Sequence, residues 1–112
     1  MDKIVERSLL FDVYGDLLTE HQREIYQNLV DNDYSLSEIA EELGISRQGV
    51  HDAIKRIDKI LIDYEDKLHY AAKYQLNISK IESILSEIDE LKKQNVDCSR
   101  LEALIKSLSE DI

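Results

Sequence analysis

The 112-residue chain has no proline and only three glycines, so little in it breaks a helix. It holds one cysteine, Cys98, which can form no internal disulfide and has no partner at metal-ligand spacing; a buried or half-exposed free thiol is the expectation. No run of about eighteen apolar residues occurs, and no charged, apolar, small-residue leader opens the chain. These absences point away from a membrane span and a signal peptide, and towards a cytoplasmic location. No glycine-rich phosphate loop is present, and His21, His51 and His69 are scattered over three segments. The many carboxylates fall on polar helix faces rather than in an apolar pocket where their pKa values would shift. Catalytic residues, metal ligands, cofactors and a small-molecule substrate are therefore not expected.

What is present is helical periodicity. With 43% apolar residues and little β-branched alternation, the chain reads as all-α, one domain or one domain with an appendage. The organising stretch runs from Ser35 to Leu61. Ser35 and Glu38 match a capping box, after which Ile39, Ala40 and Leu43 share a face while Glu38, Glu41 and Glu42 point to water. Gly44 can supply the left-handed stop, Ile45 plugs the turn and Ser46 is a good N-cap. Val50, Ile54, Ile57 and Leu61 then recur at four, three and four, the stripe of a second helix. Ala40 and Gly44 are small where two steeply crossed helices bring their backbones close. That is helix-turn-helix spacing.

The solvent side of this second helix offers Arg47, Gln48, His51, Lys55, Arg56 and Lys59, the side a recognition helix shows to a major groove. From Ser46 to Lys59 four basic residues face Asp52 and Asp58, a net of +2, in a chain whose formal charge is −10. The first 34 residues carry eight acids against Lys3, Arg7 and Arg23. Nucleic-acid binding would be local and carried by few phosphate contacts, while the acidic remainder suits a protein partner. Gly49, inside the helix, costs about 1 kcal/mol relative to alanine.

Upstream, Ile4, Leu9 or Leu10, Val13 and Leu17 recur at helical distances, so a first helix is expected from about Asp2 to Tyr14, interrupted at Gly15-Asp16. Thr19 and Gln22 form another capping box, and Ile25, Tyr26, Leu29 and Val30 continue an apolar face to a polar turn at Asp31-Asn32-Asp33. Tyr14, Tyr26 and Tyr34 read as core and staple residues rather than stacking partners for bases. Downstream, Tyr64, Leu68 and Ala71 or Ala72 keep the phase, so the recognition helix is expected to run long. A further segment starts at Asn77 or Ser79, with Ser79 and Glu82 as its capping box and Ile78, Ile81, Leu85 and Ile88 as its stripe. After a turn at Gln94-Asn95-Val96-Asp97, Ser99 and Glu102 cap a last helix bearing Leu101, Leu104, Ile105, Leu108 and Ile112.

The expected organisation is a helix-turn-helix head over residues 1–70 and a C-terminal helical hairpin over 71–112. So short a hairpin needs a surface to pack against. A second copy of the tail, giving a two-fold dimer, is favoured over docking within the chain.

The stretch from Ser35 to Leu61 resembles the second half of bacterial sigma-factor region 4, and the resemblance runs upstream through Leu18-Thr19-Glu20-His21-Gln22-Arg23-Glu24-Ile25, the form of the preceding region-4 helix, so that it covers Leu18 to Leu61. The segment Leu9 to Thr19, together with Ser46-Arg47-Gln48-Gly49-Val50 and Ile54-Lys55-Arg56, resembles the YlxM family of small helix-turn-helix proteins. That resemblance implies a sigma region 4-like helical bundle and, by the family's gene position, a regulatory role in the signal recognition particle pathway. Its target would be DNA or, alternatively, the particle's RNA or GTPase.

Overall fold

The computed structural model describes residues 2–112, all of whose regular elements are helical. They are α1 (Lys3–Tyr14), α2 (Glu20–Val30), α3 (Leu36–Leu43), α4 (Arg47–Leu68), α5 (Tyr70–Lys93) and α6 (Ser99–Glu110), with a single 3₁₀ turn at Gly15–Leu17. Two compact units result, residues 1–71 and 72–112. Among the described residues no helix is long and apolar enough to cross a membrane.

Each helix of the first unit starts where local chemistry dictates. Asp2 accepts from the Ile4 amide, and Thr19 with Gln22 and Ser35 with Glu38 close complete capping boxes. Gly44 takes φ 68° and ψ 30°, the left-handed region, and the amide of Ile45 donates back to the Ala40 carbonyl at 3.1 Å. Ser46 then accepts from the Gly49 amide at 2.9 Å and starts α4. A Cβ on Gly49 would come within 3.0 Å of that same Ser46 oxygen, so the glycine leaves room for the cap.

The core lies where α1, α2 and α3 pack on α4. Ile39, Val50, Ile54, Ile57 and Leu61 are buried in it as the spacing predicts, with Ile25, Tyr14 and Tyr26 beside them. Each such side chain contributes about 1.5–3 kcal/mol when fully buried. Phe11 meets Tyr26 at a tilted angle, and Tyr14 stacks on Tyr64 with ring centroids 5.7 Å apart. Tyr34 is half-buried against the core.

The phase expected for α1 holds in its middle, where Leu10 is buried and Leu9 and Val13 pack half-buried against the core, and is corrected at its ends. Ile4 and Leu17 are exposed, and the buried edge is Leu10, Phe11 and Tyr14 with Leu18. Phe11 and Tyr14 complete the inward edge as its aromatic part.

As expected α4 is long, but it stops at Leu68, and the next segment begins at Tyr70 rather than at Asn77 or Ser79. His69 adopts φ 57° as a left-handed cap, its amide bonded to the Glu65 carbonyl. The first amides of α5 are met by side chains distant in sequence: the Tyr70 amide donates to the Tyr14 hydroxyl and the Ala71 amide to Glu65 Oε1. Ser79 and Glu82 therefore lie inside α5 and cap nothing.

In the second unit, α5 turns through Gln94–Asp97 into α6. Cys98 is the N-cap of α6 and its side chain caps nothing, while Asp97 before it accepts from the Ser99 amide and hydroxyl, so the Ser99–Glu102 capping box is also corrected. Glu102 instead pairs with Lys92 at 2.9 Å across the hairpin. Within this unit Ile81, Ile88 and the free thiol of Cys98 are buried. Of the apolar residues expected on these two helices, Leu85, Leu101, Leu104 and Leu108 are exposed, because two helices side by side cover only one edge of each stripe.

Candidate nucleic-acid interface

The inward stripe of α4 decides what its outer surface presents. With Val50, Ile54, Ile57 and Leu61 in the core, the remaining positions form two ridges at i, i+4 spacing. One is Arg47, His51, Lys55 and Lys59; the other is Gln48, Asp52 and Arg56. All seven side chains are exposed. At 1.5 Å per residue the first ridge is about 18 Å long.

Two hollows border the first ridge. Arg47, Gln48 and His51 line one with Leu36 from the start of α3. The other is a cleft of about 710 Å³ between α4, α1 and the segment leading into α3. His51, Lys55 and Lys59 border it on one side and Lys3 and Arg7 on another, with Leu29, Tyr34, Leu36, Ile54 and Ile62 contributing apolar wall. The structure thus brings five of the six candidate residues onto these two adjoining hollows. Arg56 lies apart from both, on the second ridge.

Gln48 does not project freely. Its Nε2 donates to Asp52 Oδ1 at 3.0 Å, and His51 Nδ1 lies 3.6 Å from the same oxygen. Asp52 thus orients one candidate base-reading side chain and stands beside a second.

Asp58 counts against α4 along the sequence, but it lines the cleft as a paired group, not as a free negative charge. It turns inward, where Arg7 Nε donates to Oδ1 at 3.1 Å, Arg7 Nη2 donates to Oδ2 at 2.7 Å and the Tyr26 hydroxyl donates to Oδ1. Such a bidentate guanidinium–carboxylate pair neutralises the acid in place. The Asp58 partnership holds the Arg7 proton still more firmly than usual. Burial first, and the bond to Asp58 second, push the Tyr26 hydroxyl far above the ordinary tyrosine range. With Asp58 compensated, the exposed face up to Lys59 carries four cationic side chains against Asp52 alone.

Lys3 is the residue that sequence reasoning missed. It is exposed at the first position of α1, outside the helix-turn-helix, and only the packing of α1 on α4 carries it to the cleft. Among the described residues no three His, Cys, Asp or Glu side chains cluster as a metal site.

The comparisons with known proteins agree with this architecture. The sequence profile of the UPF0122 family, the YlxM / p13-like helix-turn-helix proteins, matches residues 1–103. The chain is 52% identical over 83 residues to a UPF0122 protein of Caldanaerobacter subterraneus subsp. tengcongensis, a match covering 74% of this chain and 71% of that one. It is 41% identical over 108 residues to one from Halalkalibacterium halodurans, covering 96% and 95%. A UPF0122 protein of Mycoplasma capricolum matches at 43% over 91 residues, 80% of each chain. With a profile spanning nearly its whole length and relatives that cover most of it, this all-helical helix-turn-helix chain belongs to the UPF0122 family.

Proposed function

We propose that this protein is a cytoplasmic helix-turn-helix DNA-binding regulator that works as a homodimer, with residues 1–70 reading DNA and residues 71–112 pairing the copies. The observation that carries the reading is the exposed cationic ridge of α4, on which Asp58 is neutralised by Arg7. Arg47 and Gln48, in the first turn of α4, have the chemistry to contact base edges, and Lys55, Arg56 and Lys59 to meet phosphates. His51, between them, is placed for either. No catalytic step is part of this reading.

The second unit supports the pairing role. Leu101, Leu104 and Leu108 form one exposed apolar row along α6, and Ile84 and Leu85 are exposed on α5. A second copy provides a self-complementary cover for such a row. Two linked heads would then engage half-sites about 34–36 Å apart.

One observation favours a second reading, an accessory protein of the signal recognition particle acting on its RNA or GTPase. Away from α4 the exposed surface is strongly acidic, Glu20, Glu24, Glu41 and Glu42 among its residues, within a net charge of −10. Such a surface complements a basic protein. Titration of labelled DNA from upstream of the protein's own gene, and of the particle's RNA, at matched salt separates the readings. Binding at least tenfold tighter to the DNA is expected. Preference for the RNA, or for the purified GTPase, would replace the first reading with the second.

A further inference from the structure

We infer that the cleft between α1 and α4 seats one sugar–phosphate strand of duplex DNA, so that Lys3 is a phosphate contact outside the helix-turn-helix. The inference rests on the proposed function and extends its surface to a third element.

Two features of the cleft argue for this occupant. Its rim is cationic: Lys3 from α1 and Lys55 and Lys59 from α4 are all exposed and all line it. Its wall is apolar, with Tyr34 from the turn into α3, Leu36 at the start of α3 and Ile62 one turn beyond Lys59. A nucleic-acid backbone has matching alternation, since anionic phosphates are separated by sugars whose C–H faces are apolar. Asp58, the acid that lines the cleft, is held by Arg7 and Tyr26, and Glu6 lines a neighbouring hollow rather than this one. The cleft also adjoins the hollow of Arg47 and Gln48, with Leu36 and His51 lining both. A strand that passes the start of α4 therefore continues towards Lys3 without leaving the surface.

The charge of the whole molecule makes the placement matter. A chain with a net of −10 repels phosphate everywhere except where cations gather locally, and affinity then depends on a few contacts. Each phosphate contact contributes about 0.9 to the slope of log K against log salt. Lys3 should be visible as one such increment.

The test is a salt series of anisotropy titrations with a fluorescein-labelled DNA duplex of mixed sequence and, in parallel, a labelled RNA hairpin. Lys3→Ala should lower the DNA slope by about 0.9, as Lys55→Ala does, and Lys3→Arg should restore it. Ile62→Ala should weaken binding severalfold with the slope unchanged, because it removes apolar contact and no charge. Arg23→Ala, an exposed position on α2 that lines neither hollow, should leave both quantities unchanged. Lys3 is exposed, so its variants should melt with the parent. If Lys55→Ala loses its increment while Lys3→Ala keeps the parental slope, the cleft is overturned and the helix-turn-helix reading stands. If the parent binds neither probe, both fall, and a Lys3 increment on RNA alone overturns the assignment to DNA.

Discussion

The hydroxyl of Tyr14 donates to Glu65 at 2.6 Å across fifty-one positions of sequence, and each of the two then accepts from a backbone amide that begins α5. An aromatic core residue of α1 and a carboxylate near the end of α4 thus make the cap that permits the chain to break at His69 and start a new helix. Burial first, and the bond to Glu65 second, raise the proton affinity of Tyr14.

That raised affinity, shared by Tyr26, predicts an alkaline limb to stability. A tyrosine whose pKa is higher folded than unfolded adds stability that is fully present below the unfolded value and is lost as pH rises towards the folded one. The unfolded value is about 10, so thermal melts should be flat to about pH 9 and fall steeply above about pH 10. Tyr14→Phe and Tyr26→Phe should each lower stability by about 1–3 kcal/mol at neutral pH, by leaving Glu65 or Asp58 short of a donor, and each should flatten the alkaline fall. Absorbance of tyrosinate in the parent and in each Phe variant should show Tyr14 and Tyr26 holding their protons above the ordinary tyrosine range while the chain is folded. Ionisation of Tyr14 or Tyr26 at the ordinary tyrosine value in the native state would contradict the assignment.

The turn of the helix-turn-helix rests on one backbone angle. At Gly44 φ is 68° and nothing lies within 4 Å of where a Cβ would sit, so substitution there tests conformation without a clash. Gly44→Ala should cost about 1–2 kcal/mol in urea denaturation and Gly44→Asn less. Equal stability of all three would mean that the turn does not need the left-handed residue.

Base reading and phosphate contact should separate by mutation. Arg47→Ala should weaken binding to a preferred DNA site by about 1–3 kcal/mol while changing binding to random DNA much less. Lys55→Ala should weaken both alike and reduce the salt slope by about one unit. Equal losses on preferred and random DNA for both variants would remove Arg47 from the base-reading role.

The exposed row of α6 predicts self-association. In sedimentation across a concentration series the full chain should move from monomer to dimer, and Leu104→Asp with Leu108→Asp should hold it monomeric. Deleting the residues after about Tyr74 should leave a monomeric head that binds a palindromic site much more weakly, since linked half-sites gain from effective concentration. A full chain that stays monomeric at tens of micromolar with its tail resistant to proteolysis would instead indicate docking within the chain.

The helix-turn-helix is legible in the sequence because its determinants act within one turn of helix. Ser35 reaches Glu38, Gly44 turns its own backbone, Ser46 reaches Gly49, and the stripe from Val50 to Leu61 repeats at three and four. Hydroxyl, carboxylate and left-handed glycine are recognised by type and spacing, so the start and stop of α3, the start of α4 and its outward face can be read without a third dimension. What tertiary structure alone decided lies at separations near fifty residues. Arg7 pairs with Asp58 beside the exposed face of α4, Tyr14 and Glu65 place the break at His69, and α1 carries Lys3 to the cleft beside Lys55 and Lys59. Nothing in the periodicity of one helix encodes the crossing that brings another helix's charge within 3 Å of it. The apolar period marks which edge of a helix turns inward, and only the packing of α1 and α2 on α4 selects which polar groups meet across it.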